Sequence, residues 1–186
     1  MDKFFGNLNA VLGVGALLAI GLMLAPYYAP PSVALGLFQW LHVFFGILWI
    51  GLLYYFNFVQ IPTMPKIPAE LKPGVSKHIA PAALFYFRWA AALTVLTGLI
   101  LAHLYGELGD ALKLDASARL IGIGMYLALI MAFNVWFIIW PNQQKALGLV
   151  EADDATKAKA AKTAMITSRI NTLLSLPMLL CMVAFR

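Results

Sequence analysis

Five apolar runs dominate the chain, at about residues 9–25, 34–61, 82–105, 119–140 and 170–185. Each approaches the roughly 20 residues that a helix needs to cross about 30 Å of hydrocarbon. In lipid every backbone polar group must be satisfied internally, so continuous runs of this length predict helices. The predicted fold is therefore all-α, a polytopic membrane bundle of five transmembrane helices forming one domain. Composition agrees: 62% of the 186 residues are hydrophobic and 11% charged, with a mean hydropathy of +0.84, which excludes an ordinary soluble domain.

The breaks between runs carry turn chemistry. PYYAPPS follows the first, and PTMPKIPAELKPGVSKHIAP separates the second from the third. GELGDALKLDASA leads into the fourth, and residues 142–168 form a polar segment in which EADDATKAKAAKTAM is predicted to extend a helix beyond the membrane. The charged start is only MDK, which favours a retained first span over a cleaved signal peptide. Trp40, Trp140, Tyr27, Tyr28 and Tyr105 fall where an interfacial aromatic belt is expected.

Five spans put the N-terminus on one side with the loops after the second and fourth. That side holds Lys3, Lys66, Lys72, Lys77, Lys145, Lys157, Lys159, Lys162 and Arg169, against Lys113, Arg119 and Arg186 on the other. The excess predicts a cytoplasmic N-terminus and a periplasmic C-terminus. It also accounts for the net charge of +5 without nucleic-acid binding. Cys181 is the only cysteine, so there is neither a disulfide framework nor a CxxCH haem attachment.

Inside the spans, the informative residues are those that cost energy to be there. In the second run His42, Gly46, Trp49, Leu53, Asn57 and Gln60 recur at steps of three and four and share one helical stripe. Phe85, Arg88, Ala92, Leu96, Leu99 and His103 make a similar stripe in the third, and Asn171, Ser175, Met178 and Met182 one in the fifth. Such stripes are expected to face the bundle interior.

His42 lies about 12 Å of helix rise past Ala34, and His103 about 3 Å short of Tyr105 on the antiparallel neighbour. Two imidazoles at comparable depth suit the axial ligation of a haem b, with Met182 as a rival ligand. Gly46 would leave room for a flat macrocycle, and Arg119, Gln39 and Tyr105 are placed to meet its propionates. The bland reading of each histidine is a hydrogen-bonded interhelical contact, and His78 falls in a loop. Arg88 lies about 22 Å of rise from His103, too far for the same group. It either snorkels to the interface or, with Asn57, Gln60, Asn134 and Asn171, holds an anionic or carbonyl-bearing ligand such as a quinone, a lipid phosphate or a small organic acid.

WLHVFFGILWIG followed by NFVQ, then FRWAAALTVLTG, WFIIWPNQQK and SRINTLLSLPM, together resemble the N-terminal transmembrane domain of the bacterial membrane-bound urate oxidase (urate hydroxylase) family. The pattern around His42 is also similar, more weakly, to the b-haem-binding bacterial protoporphyrinogen oxidase family. The first resemblance implies a multi-pass protein of the bacterial inner membrane, in a family whose membrane domain is typically joined to a cytochrome c domain. These 186 residues hold no such domain. The expectation is then a haem b electron-transfer protein, or a subunit of a membrane oxidoreductase, with a quinone or a cytochrome c as partner. The competing readings are a cofactor-free structural or accessory subunit of a larger membrane complex or homo-oligomer, and a small-molecule binder or transporter built on Arg88.

Overall fold

The computed structural model describes residues 2–25 and 32–184. Tyr27, Tyr28 and Arg186 lie outside the described residues. After a single turn at Asp2–Phe5, the main helices are α1 (Leu8–Met23), α2 (Val33–Tyr54), α3 (Ala80–Leu104), α4 (Leu108–Lys113), α5 (Arg119–Phe133) and α6 (Asp154–Ala184), with shorter helical segments such as Trp140–Ala146 continuing them. No strand occurs among the described residues. Helix starts are capped where the sequence offers an acceptor. Asn7 accepts the amide of Ala10 at 3.2 Å, Ser32 that of Leu35 at 3.1 Å, and Asp153 that of Thr156 at 2.8 Å.

Four continuous helical stretches are long and apolar enough to cross a membrane: Val33–Lys66, Lys72–Leu104, Arg119–Ala146 and Asp154–Ala184. The first of the five predicted spans differs. Helix α1 has 16 residues, about 24 Å of rise, shorter than the hydrocarbon core. None of its residues is buried.

The long helices run through three prolines at which the apolar runs had been bounded. Each proline is preceded by a π-helical segment: Tyr55–Gln60 before Pro62, Val75–Ile79 before Pro81, and Asn134–Ile139 before Pro141. A proline inside an α-helix lacks the N–H that would bond four residues back, and its ring strikes that carbonyl. Widening the turn just ahead relieves the clash, so the helix bends its hydrogen-bond pattern instead of ending. Amide side chains take up carbonyls there, Asn57 bonding Leu53 O at 2.9 Å and Asn142 bonding Ile138 O at 2.8 Å.

Helix α2 packs along α3, and α5 along α6. Trp49, Leu53, Phe56, Phe87, Met131 and Val135 fill the centre, with the Phe56 and Phe87 rings edge to face at 5.5 Å. Small residues permit the closest approaches. A Cβ on Gly124 would stand 2.7 Å from the Cβ of Cys181, and one on Gly122 would strike the carbonyl oxygen of Ala111. Leu173, Leu176, Leu180 and Val183 on α6 stay exposed, as a lipid-facing surface requires.

Candidate functional site

His42 is fixed against α3 by backbone chemistry. Its Nδ1 lies 2.9 Å from the carbonyl oxygen of Thr94. A carbonyl can only accept, so Nδ1 carries a proton, and in the neutral form of the ring the lone pair lies on Nε2. The imidazole sits over Gly98, where a Cβ would come within 2.7 Å of Cε1 and 3.0 Å of Nδ1. Thr94 and Thr97 donate their hydroxyls to the carbonyls of Ala90 and Leu93, at 2.7 and 2.6 Å, which leaves the Thr97 oxygen, 3.5 Å from Nδ1, as a second and longer acceptor for the ring proton.

Beside His42 opens a cavity of about 1120 Å³, whose walls include Gly46, Trp49, Gly98, Met178 and Met182. The walls come from α2 between Gln39 and Gly51, the second half of α3, Ala111 of α4, α5 between Ile121 and Leu129 and the end of α6, remote from the lysine-rich loops. Trp49 is wholly buried, and its indole N–H has no acceptor. Gln39 and Tyr105 close one edge with a 3.4 Å hydrogen bond, and Glu107 supplies the lining's carboxylate. Such a volume, mostly apolar with a few convergent polar groups, is what small-molecule and cofactor sites have in common.

The predicted stripes on α2 and α6 both face inward: Trp49, Leu53, Asn171 and Ser175 are fully buried. On α3 the inward face is a different one. Leu84, Phe87, Ala91, Thr94 and Thr97 are buried, whereas Phe85 and Leu96 are about half exposed. His103 is exposed and is not among the cavity residues, which His42 and Met182 share. Arg119 is exposed too, its Nε donating to Leu114 O at 3.2 Å. Among the described residues no three His, Cys, Asp or Glu side chains gather to hold a metal ion.

A second polar region lies at the level of the two π-helical segments in the other half. Arg88 places its guanidinium carbon 3.3 Å from the Trp140 ring centroid and 5.8 Å from that of Trp136. The indole N–H of Trp136 donates to the carbonyl of Arg88 at 3.1 Å. Nε and Nη1 of Arg88 are buried without an acceptor, and Oδ1 of Asn57 and Oε1 of Gln60 are buried without a donor. Other polar groups here are tied between helices. Asn57 bonds Ser168 at 2.8 Å, Asn134 bonds Asn171 at 2.8 Å, Asn171 bonds Met131 O at 2.9 Å and Tyr54 bonds Ser175 at 3.0 Å.

Helices α5 and α6, with their close glycine contact and the Asn134–Asn171 bond, lie within the part of the chain for which a family model matches. Residues 110–185 match the urate oxidase N-terminal family. No curated protein and no solved structure matches the chain. The matched residues include the cavity walls from Ala111 to Val183, the Arg88 partners Trp136 and Trp140, and the Asn134–Asn171 pair. His42, Arg88 and Gly98 precede them, so both sites are assembled between the matched residues and the helices before them. Sequence reasoning missed Gly98 and the two threonines. Their signal, small residues at three- and four-residue spacing in LTVLTG, was outweighed by the more conspicuous Arg88 and His103.

Proposed function

We propose that the whole chain is a membrane redox protein of the urate oxidase N-terminal type, holding haem b in the cavity beside His42. One observation carries the reading: the bond to Thr94 O leaves Nε2 as a neutral, oriented lone pair on a residue lining a roomy apolar cavity. Histidines that ligate metals typically anchor their other nitrogen in this way.

The residues fit such a group. His42 and Met182, which share the cavity lining, would hold the iron, and a thioether beside an imidazole raises the reduction potential of such a group. Gly46 leaves room near the imidazole, the space at Gly98 being taken by the ring itself, and the Trp49 N–H is a donor in want of an acceptor. At the edge, Gln39 and Tyr105 offer polar atoms to propionates, while Glu107 opposes them and Arg119 is engaged with its own loop. The bound group would supply a one-electron iron couple. The protein's own part is to orient the ring, exclude water with apolar walls and set the potential by burial. The lysine excess supports placing the polar loops on the cytoplasmic face of a bacterial inner membrane. A quinone or a soluble cytochrome is the electron partner that this reading entails.

A reduced-minus-oxidised visible spectrum of the purified chain, expressed with haem supplied, tests it. A b-type α-band that disappears in His42→Ala and persists in His103→Ala is expected. A wild-type chain without any such band refutes the reading and leaves the cofactor-free subunit, for which the interhelical bonds of Asn57, Asn134, Asn171 and Tyr54 already supply the glue.

A further inference from the structure

Arg88 is a cation at the level of the bundle core, and no stretch from 80 to 146 within the crossing helices contains a carboxylate to neutralise it. Helix α2 and its continuation to Lys66 contain none either, and the acidic residue of α6 is Asp154 at its far end. The charge is met instead by aromatic faces. At 3.3 Å from the Trp140 centroid the guanidinium must lie nearly flat on the ring, since an edge-on approach would drive its hydrogens into the indole. A flat stack points the N–H bonds sideways, away from both the ring and its neighbours, and Nε and Nη1 accordingly find no acceptor. A buried charged donor left in this state is costly, so the arrangement is one that a ligand completes.

From these contacts the geometry points to an oxyanion site in which Arg88, held on Trp140 and Trp136, binds a phosphate group at the edge between α3 and the end of the α5 helix. Arginine's planar fork matches a phosphate through paired hydrogen bonds, and stacking on indole fixes the plane of that fork in advance. Depth agrees with a lipid headgroup as the source. Asn142, Gln143, Gln144 and Lys145 follow Trp140 directly, so polar sequence begins within about 8 Å of helix rise. A side chain as long as arginine covers that distance by snorkelling. The wide turns at Tyr55–Gln60 and Asn134–Ile139 flank this level, and such turns often accompany binding sites. The site is separate from the His42 cavity and independent of whether iron binds there.

The test uses the full chain purified in a neutral detergent, with thermal unfolding and native mass spectrometry as readouts. Added phosphatidylglycerol should raise the midpoint by about 3 °C or more, with one lipid retained, and phosphatidylcholine should not. Arg88→Gln should remove both the shift and the retained lipid, and Arg88→Lys should weaken retention several-fold because a point charge replaces the fork. Inorganic phosphate matching the lipid's effect would support the same site with a soluble anion as its occupant. No Arg88-dependent shift with either phosphate source, or equal shifts in wild type and Arg88→Gln, would overturn it.

Discussion

The imidazole of His42 and the missing Cβ of Gly98 are complementary: the ring occupies the space that any side chain at 98 would fill. Gly98→Ala must therefore push the ring off the Thr94 carbonyl or separate α2 from α3. Overpacking of this kind costs about 1–3 kcal/mol, and a displaced Nε2 would also weaken any α-band. Gly46→Ala is the control, since its new Cβ would meet nothing nearer than a Thr94 methyl at 3.9 Å. Unfolding midpoints of the two variants should diverge, and equal midpoints would contradict the packing described.

Asn171 joins α6 to α5 twice, through Asn134 and through the carbonyl of Met131. Interhelical hydrogen bonds in membrane proteins are worth about 0.6 kcal/mol on average and up to about 1.7. Asn171→Leu should lower stability by about 1–3 kcal/mol, because it also strands the buried Asn134 amide. The double variant with Asn134→Leu should cost less than the sum of the singles, which unfolding in mixed micelles can measure. Strict additivity would mean that the two amides do not interact.

How much of this was legible in the sequence follows from what each residue type signals. Apolar runs announced the crossing helices, and the three-and-four spacing from His42 to Gln60 put the right face of α2 inward. On α3 the largest polar residues were poor guides, because long side chains such as Arg88 reach sideways and a terminal His103 sits in the open. The face that packs is set by Ala90, Ala91, Thr94, Thr97 and Gly98, whose smallness leaves little trace in hydropathy. Prolines at 62, 81 and 141 read as boundaries, and nothing in local propensity reveals that a wide turn carries the helix onward. Pairings such as Asn57 with Ser168 join residues far apart in sequence, and only the fold brings them together.

Asp153 caps α6 and gives a pH dependence with a definite sign. Its carboxyl lies below the ordinary value of 3.8, first because the Thr156 amide donates to it and then because the Thr156 hydroxyl does. A lowered folded value means that the folded state binds the proton less readily than the unfolded chain. The cap's contribution is therefore complete above the unfolded value and is lost as pH falls through the lower, folded one. The Thr156 amide resonance should titrate with a midpoint below 3.8 and stop titrating in Asp153→Asn, which keeps the cap acceptor. A midpoint at or above the ordinary value would count against the capping bond.

Pro141 follows the wide turn that contains Trp136 and leads into Trp140, the two indoles lying against Arg88. If the proline is what opens that turn, Pro141→Ala removes the reason for it, and Asn134–Ile139 can tighten to an ordinary α-helix. Tightening changes the register by one residue, about 100° of rotation, between Asn134 and the polar end of the helix. Trp140, beyond the turn, would take nearly all of that rotation and swing off Arg88, whereas Trp136, inside it, would turn less. A cation–π pair of this kind, partly desolvated, is worth about 1–2 kcal/mol. The coupling between Arg88→Gln and Trp140→Leu in a double-mutant cycle should thus be measurable in the wild-type background and close to zero with Ala at 141. Undiminished coupling there would show that the turn is held open by Asn134 and its bond to Asn171, with the proline merely tolerated.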